Sequence, residues 1–139
     1  MDHWEHFEHV ADMGVRGVAD TLAGAFEQAA LAMTAVITDL DSVACNQEIS
    51  IECEEPNVEL LFVDWLNAII YNMSTRRMLF GEFEIITLDD HRLLAKARGE
   101  NVDVSRHYPA VEIKGATYTA LQVRQQNDGM WLAQCVVDV

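Results

Sequence analysis

The sequence predicts an α+β fold in which two helices pack on a mostly antiparallel β-sheet. Two stretches with the helical spacing of apolar residues, near 22–37 and 61–73, lie on either side of a stretch at 47–54 that alternates cleanly. From residue 81 to the end no helical period returns, and alternating segments follow one another between turn residues. The chain has 139 residues, half of them hydrophobic, which indicates a single globular domain spanning 1–139.

The N-terminal elements follow from alternation and then from helical periodicity. Residues 5–10 alternate and predict a first strand, and 15–18 predict a short second strand after a turn at Gly14. Asp20-Thr21 has the composition of a helix N-cap, and the helix should end near Thr38-Asp39. Its expected buried stripe consists of Leu22, Ala25, Phe26, Ala29, Met33, Val36 and Ile37.

The middle of the chain gives the clearest patterns. In 47–54 the side chains of Ile49, Ile51 and Cys53 share one face, as in a half-buried strand. Glu55-Pro56-Asn57 ends that strand and starts a helix that should run to about Ser74. The expected buried face of this helix comprises Leu61, Trp65, Leu66, Ile69, Ile70 and Met73.

The rest of the chain predicts strands. Segments 81–88 and 93–100 read as a hairpin around Asp89-Asp90. A polar connection at 101–109 contains Asp103, Arg106 and His107, and strand character returns at 111–117 and 118–125. Asn127-Asp128-Gly129 is a strong hairpin turn before a last strand at 130–139.

The net charge of −14 is concentrated in the first half of the chain. Residues 1–64 contain fourteen acids and one base, whereas residues 65–139 contain nine acids and eight bases. Such a surface repels phosphates, so tight direct binding to RNA or DNA is not expected. The acidity suits either a basic protein partner or solubility alone.

Localisation is expected to be cytoplasmic. No apolar run is long enough to span a bilayer, and no basic region precedes an apolar core at the N-terminus. The three cysteines, Cys45, Cys53 and Cys135, are scattered and form no CxxC pair, which favours reduced cysteines in the core or strands over a zinc site.

Two aspartates stand out as candidate metal ligands. Asp12 lies among small and apolar neighbours, and Asp138 immediately precedes the last residue, Val139. Burying a carboxylate is costly unless it is paired, hydrogen-bonded or bound to a cation, and three convergent carboxylates would suit a hard cation. The alternative for Asp12 is an aspartate that caps a turn by accepting backbone N–H groups.

Other candidates carry weaker signals. His3, His6 and His9 are three residues apart, a spacing that aligns side chains on a helix, but this segment reads as a strand. Lys114, between Ile113 and Gly115, is better explained from the residues alone as an exposed lysine on a strand edge, and a functional role needs other support. No phosphate-binding loop, GxGxxG or nucleophile elbow is present.

An ordered set of short motifs resembles the archease family over nearly the whole chain. The set consists of Phe7 to Gly14, Ala25 to Ala30, Thr38-Asp39, Leu60-Leu61 through Asp64 to Asn67, Ala97 to Glu100, Arg106-His107, Val111 to Tyr118 and Val136 to Val139. Two departures are that the family usually has threonine where Val10 stands and histidine where Thr119 stands. The first puts in doubt a hydrogen bond near Asp12, and the second any role that the histidine carries.

This resemblance implies an accessory protein and not an enzyme. Archeases assist the RNA-splicing ligase RtcB, promoting its guanylylation with GTP and its repeated turnover, without joining RNA themselves. The family's metal site, with calcium as the expected ion, carries over to Asp12, Asp138 and Val139, and its functional lysine to Lys114. Two other hypotheses stay open: a chaperone or specificity modulator of another enzyme, such as a tRNA methyltransferase, and a free-standing metal-dependent hydrolase. The oligomeric state and the RNAs served are not predicted.

Overall fold

The computed structural model describes all 139 residues and has the predicted α+β architecture. Two long helices, α1 (Leu22–Ile37) and α2 (Val58–Arg76), pack on antiparallel strands, and a short third helix, α3, spans Val104–His107. The strands are β1 (His3–His9), β2 (Asp12–Ala19), β3 (Gln47–Glu54), β4 (Met78–Leu88), β5 (Arg92–Asn101), β6 (Gly115–Ala116), β7 (Gln122–Gln125) and β8 (Trp131–Asp138). No helix is long and apolar enough to cross a membrane.

The strands form two sheets where the sequence predicted one. In the first sheet β1 pairs with β2, β2 with β8, and β8 with both β6 and β7. In the second sheet β5 lies between β3 and β4. All pairs are antiparallel, and one cluster of buried side chains from both helices and both sheets forms the core.

The strongly periodic elements lie where the sequence places them. Helix α1 begins after Thr21, whose side chain accepts the Gly24 N–H, and ends at Thr38. Strand β3 buries Ile49, Ile51 and Cys53 as predicted, and helix α2 begins after Asn57. On the buried face of α2 only Met73 differs from expectation, because it is half-buried and borders a groove described below.

The first hairpin corrects the predicted turn. The chain reverses at Val10-Ala11, with Val10 at φ 50°, and not at Gly14, which lies inside β2. Gly14 is directly opposite Phe7, and a Cβ on Gly14 would lie 2.3 Å from the Phe7 ring. The glycine therefore makes room for an aromatic ring across the strand pair.

The region after β5 also differs from prediction. The polar connection contains helix α3, and the expected strand at 111–117 is reduced to Gly115–Ala116. The Ala110 N–H instead donates to the Ile37 carbonyl at the end of α1. The segment 109–114 therefore crosses from α1 to the edge of β8 without joining a sheet.

The cysteines are free, and two of them lie buried in strands as expected. Burial raises the pKa of both the Cys53 and Cys135 thiols to about 12. Both side chains therefore act as small apolar groups of the core.

Candidate functional site

Three distant parts of the chain meet at the carboxyl end of β8. In the antiparallel pairing of β2 with β8, Met13 is opposite Val137, so the next position places Asp12 opposite Asp138. On the other edge of β8, Gly115 is opposite Asp138. Side chains at directly opposite positions of a strand pair point to the same face, so Asp12 and Asp138 lie on one face of the sheet.

Backbone hydrogen bonds hold this meeting point together. The Val139 N–H donates to Oδ1 of Asp12 over 3.4 Å, and the Lys114 N–H donates to the Asp138 carbonyl over 2.7 Å. The structure thus brings together the backbones of all four residues that the sequence analysis selected, and the strand register turns the Lys114 side chain to the opposite face from Asp138, toward α2. The Lys114 side chain is exposed, whereas Asp12 and Val139 are half-buried.

Helix α2 fixes the strand that follows Lys114. The Asn67 side-chain oxygen accepts the Ala116 N–H at 2.9 Å, and its amide donates to the Ala116 carbonyl at 3.4 Å. The Asn67 side chain therefore makes with β6 the two backbone hydrogen bonds that a neighbouring strand would otherwise make. This contact sets the position at which the chain enters the site.

The charges at this end of the sheet have no counter-ions within the chain. None of the ion pairs in the structure includes Asp12, Lys114 or Asp138. Two carboxylates on one face that form no ion pair repel each other, and a bound cation would relieve that repulsion.

The donor set fits a hard cation, although it is small. The chain contains no cluster of three or more His, Cys, Asp or Glu side chains that could hold a metal ion. Asp12 and Asp138 supply two such side chains on one face of the sheet. Carboxylate oxygens are the ligands that calcium takes in proteins.

The histidine trio is divided between the two faces of β1. The His6 ring donates from Nε2 to the Ala32 carbonyl of α1 at 2.7 Å, whereas His3 contacts Glu5. Because β1 is a strand, His3 and His9 point away from the side on which His6 lies.

Sequence reasoning missed a polar cluster between the end of β5 and α3, which we call the Glu100 hub: the buried Glu100 and His107, and the exposed Arg106. Arg106 makes a two-pronged contact with Glu100, at 2.7 and 2.6 Å, and His107 Nε2 lies 2.9 Å from the same carboxylate. The Ala44 N–H also donates to Glu100. The Arg106 guanidinium, and then the Ala44 and His107 donors, hold the pKa of Glu100 well below its usual range.

The tautomer of His107 in the hub follows from its partners. Nδ1 accepts the Asp103 N–H at 2.8 Å, so in the neutral ring Nε2 carries the proton and donates to Glu100. The hub anchors α3, and through it the start of the 109–114 segment that leads to Lys114. The only sequence signal was a histidine and an arginine in an otherwise polar connection.

The two positions that depart from the family pattern are both exposed. Val10 lies at the tip of the first hairpin, and its side chain is fully exposed, so it makes no buried contact near Asp12. The Thr119 carbonyl accepts the Val136 N–H, and its own N–H donates to the Thr117 hydroxyl. Thr119 therefore contributes backbone contacts to β8.

Comparison with known proteins gives consistent matches over the full length. Residues 4–139 match the model of the archease protein family. The chain is 39% identical to the protein archease of Pyrococcus furiosus, covering 100% of both chains, and 38% identical to that of Methanopyrus kandleri, covering 98% and 99%.

Solved structures also resemble this fold. Protein 1598 of Methanobacterium thermoautotrophicum superposes with a TM-score of 0.74 at 27% identity, covering 98% of each chain. An archease of Thermotoga maritima, described as a possible chaperone, gives 0.55 at 17% identity, covering 97% of this chain and 96% of that one, and supports the fold alone.

Proposed function

Because the chain belongs to the archease family, we propose that it is an accessory protein of the RNA-splicing ligase RtcB. In this proposal it acts in the cytoplasm in tRNA splicing and RNA repair. It promotes guanylylation of the ligase with GTP and allows repeated turnover, and it does not itself join RNA.

One observation carries the proposal: Asp12, Lys114 and Asp138 meet at one end of the first sheet, and none of the three has an ion-pair partner within the chain. Charged groups left without partners at an exposed sheet end are available to another molecule. The acidic surface of the first half disfavours RNA as that molecule, which supports a protein partner.

Asp12, Asp138 and the carboxylate of Val139 would hold a divalent cation, with calcium as the expected ion. When bound, the cation supplies positive charge at this end of the sheet. The protein's own groups position the site: the Val139 N–H orients Asp12, and the Lys114 N–H fixes the Asp138 backbone. Lys114 adds a second positive charge at the same end of the sheet but on its other face, where it lines a recess with residues of α2. There it would stabilise negative charge that develops on the ligase's nucleotide.

The contribution of Val139 is tested by extending the chain beyond it. Extension turns the carboxylate into a neutral peptide group, so calcium affinity measured by calorimetry should fall at least about tenfold. The matched control carries the same added residues before Met1 and should bind calcium like the parent. Equal affinities for all three proteins would remove Val139 from the site.

The function itself is tested by a guanylylation assay of the ligase with and without this protein. We expect faster guanylylation and more than one turnover per ligase when the protein is added. No effect on the ligase would contradict the proposal. Stimulation of a tRNA methyltransferase instead would favour the modulator hypothesis, and hydrolysis by the purified protein alone would favour the hydrolase.

A further inference from the structure

An apolar groove lies between the C-terminal half of α2 and the segment 109–114, and it leads to Lys114. Its deeper part is a cavity of about 190 Å³ lined mainly by hydrophobic side chains, among them Ile70, Met73, Met78, Val111 and Ile113. A second, more polar recess of about 400 Å³ shares Ile70, Ser74, Glu112 and Ile113 with the first and ends at Lys114. The groove is therefore continuous with the candidate site.

The groove is open to solvent, and its rim exposes apolar side chains. Tyr71, in the second recess, is 66% exposed, and Val102 and Val111, in the first, are each 37% exposed. Exposed apolar groups that surround a concave apolar surface are typical of a binding site. An apolar cavity of about 150 Å³ holds a benzene molecule, so this one holds one ring or one branched aliphatic side chain.

The rim also gathers the positive charge that the rest of the fold leaves unpaired. Of the nine lysines and arginines, five form ion pairs, and the four that do not are Arg76, Arg77, Lys114 and Arg124. Three of these four lie in or next to the segments that line the groove. Arg76 and Arg77 stand in the chain between the lining residues Ser74 and Met78, and Lys114 lines the recess.

Among the lining residues one base, Lys114, balances one acid, and Arg76 and Arg77 in the adjoining end of α2 add two positive charges. The Arg77 backbone lies against the lining residue Val102, because the Arg77 carbonyl accepts the Val102 N–H over 2.9 Å. Glu112 is the one acid among the lining residues. Since charges are screened beyond about 8 Å at physiological salt, an approaching segment senses these groups more than the distant acidic surface.

We propose that this groove binds a segment of the partner protein that carries one bulky apolar side chain flanked by carboxylates. The proposal rests on the proposed function, in which a ligase is the partner. The apolar side chain fills the cavity, and its acidic neighbours meet Arg76, Arg77 and Lys114. An apolar core surrounded by a polar rim is the usual anatomy of a protein interface. The continuity with Lys114 then places the bound partner at the end of the sheet where the Lys114 N–H donates to the Asp138 carbonyl.

The ligase arm of the test separates docking from activation. Val111→Asp puts a carboxylate into the groove and should weaken ligase binding at least tenfold, yet stimulate guanylylation like the parent when added to saturation. Its matched control is Ile86→Asp, on an exposed apolar residue of β4 that lines none of these recesses, and it should bind like the parent. Asp12→Ala should show the opposite behaviour to Val111→Asp, with normal binding and little stimulation. Val111→Ala, milder for folding, should weaken binding in the same direction.

The peptide arm does not depend on the ligase. Two synthetic twelve-residue peptides share one central leucine, and one carries glutamates around it while the other carries lysines. In NMR titrations the glutamate peptide should shift the amides of Ile70, Val111 and Ile113 and bind at least tenfold more tightly than the lysine peptide. Replacing both Arg76 and Arg77 by glutamine should remove most of that difference.

The outcomes distinguish a failure of the proposed function from a failure of the groove proposal. A parent protein that neither binds nor stimulates the ligase refutes the proposed function, and the peptide titrations then decide the groove alone. Equal affinity for the two peptides, or shifts confined to another surface, would overturn the groove proposal. So would a dimer in sedimentation experiments that Val111→Asp dissociates, because a second copy of the chain would then occupy the groove.

Discussion

Replacing His107 by phenylalanine tests whether the Glu100 hub supports the fold. The side chain of His107 is fully buried, and phenylalanine retains a ring of similar size but makes neither hydrogen bond. Losing a hydrogen bond to a charged group costs about 1.5–3 kcal/mol, and leaving the Asp103 N–H without its partner adds about 1 kcal/mol. We therefore expect the free energy of unfolding to fall by about 3 kcal/mol.

Urea denaturation measures this loss, with His91→Phe as the matched control. His91 is exposed in the turn between β4 and β5, so its replacement should change the free energy of unfolding by less than about 0.5 kcal/mol. With a denaturant slope of about 2–3 kcal/mol per molar, His107→Phe should lower the midpoint by about 1 M or more. Equal midpoints for the two variants would refute the reasoning.

Two further predictions concern stability. The pKa of Glu100 in the folded protein lies below its usual value of 4.5, so the stability that it contributes is present above that pH and is lost as the pH falls. Glu100→Gln should therefore flatten the acid-side loss of stability in urea titrations below about pH 4.5, and an unchanged slope would contradict this role. Gly17→Ala should lower stability by about 1–3 kcal/mol, because its Cβ would lie 2.1 Å from the Ala25 carbonyl oxygen and 2.4 Å from the Ala29 nitrogen. Gly115→Ala, whose nearest contact would be 3.6 Å, should melt within a few degrees of the parent, and equal melting of the two variants would show that α1 does not pack as closely on β2 as described.

The elements that the sequence predicted well are those in which one periodicity covers many residues. Strand β3 alternates over its whole length, and α2 repeats its apolar residues over several turns. In both elements the pattern of burial and the local structure therefore predict the same secondary structure. The turn at Val10-Ala11 was missed because Gly14 is the stronger local turn signal. Gly14 is explained only by Phe7, a contact across the strand pair that the pattern does not reveal.

The residues of the candidate site could be selected from the sequence, but their arrangement in space could not. That Asp12 lies opposite Asp138 depends on β2 choosing β8 as its second neighbour, a pairing of the two ends of the chain that no local pattern specifies. The segment 111–114 has the composition of a strand but pairs with no strand. Its backbone contact with β8 is one hydrogen bond, from the Lys114 N–H to the Asp138 carbonyl. The buried His107 was missed because it lies in a helix of four residues, too short to have a period.

The most direct test of the central claim is ligase guanylylation at saturating GTP with Asp12→Ala, Lys114→Ala and Asp138→Ala. Folding is checked by thermal melting, and binding to the ligase is measured separately for each variant. The proposal predicts that all three variants fold and bind the ligase, and that each stimulates guanylylation at least about tenfold less than the parent, because each removes a charge that acts on the reacting nucleotide. Three folded variants that stimulate the ligase as well as the parent does would contradict the claim. Variants that fail only because they no longer bind would make this end of the sheet a docking surface without an electrostatic role.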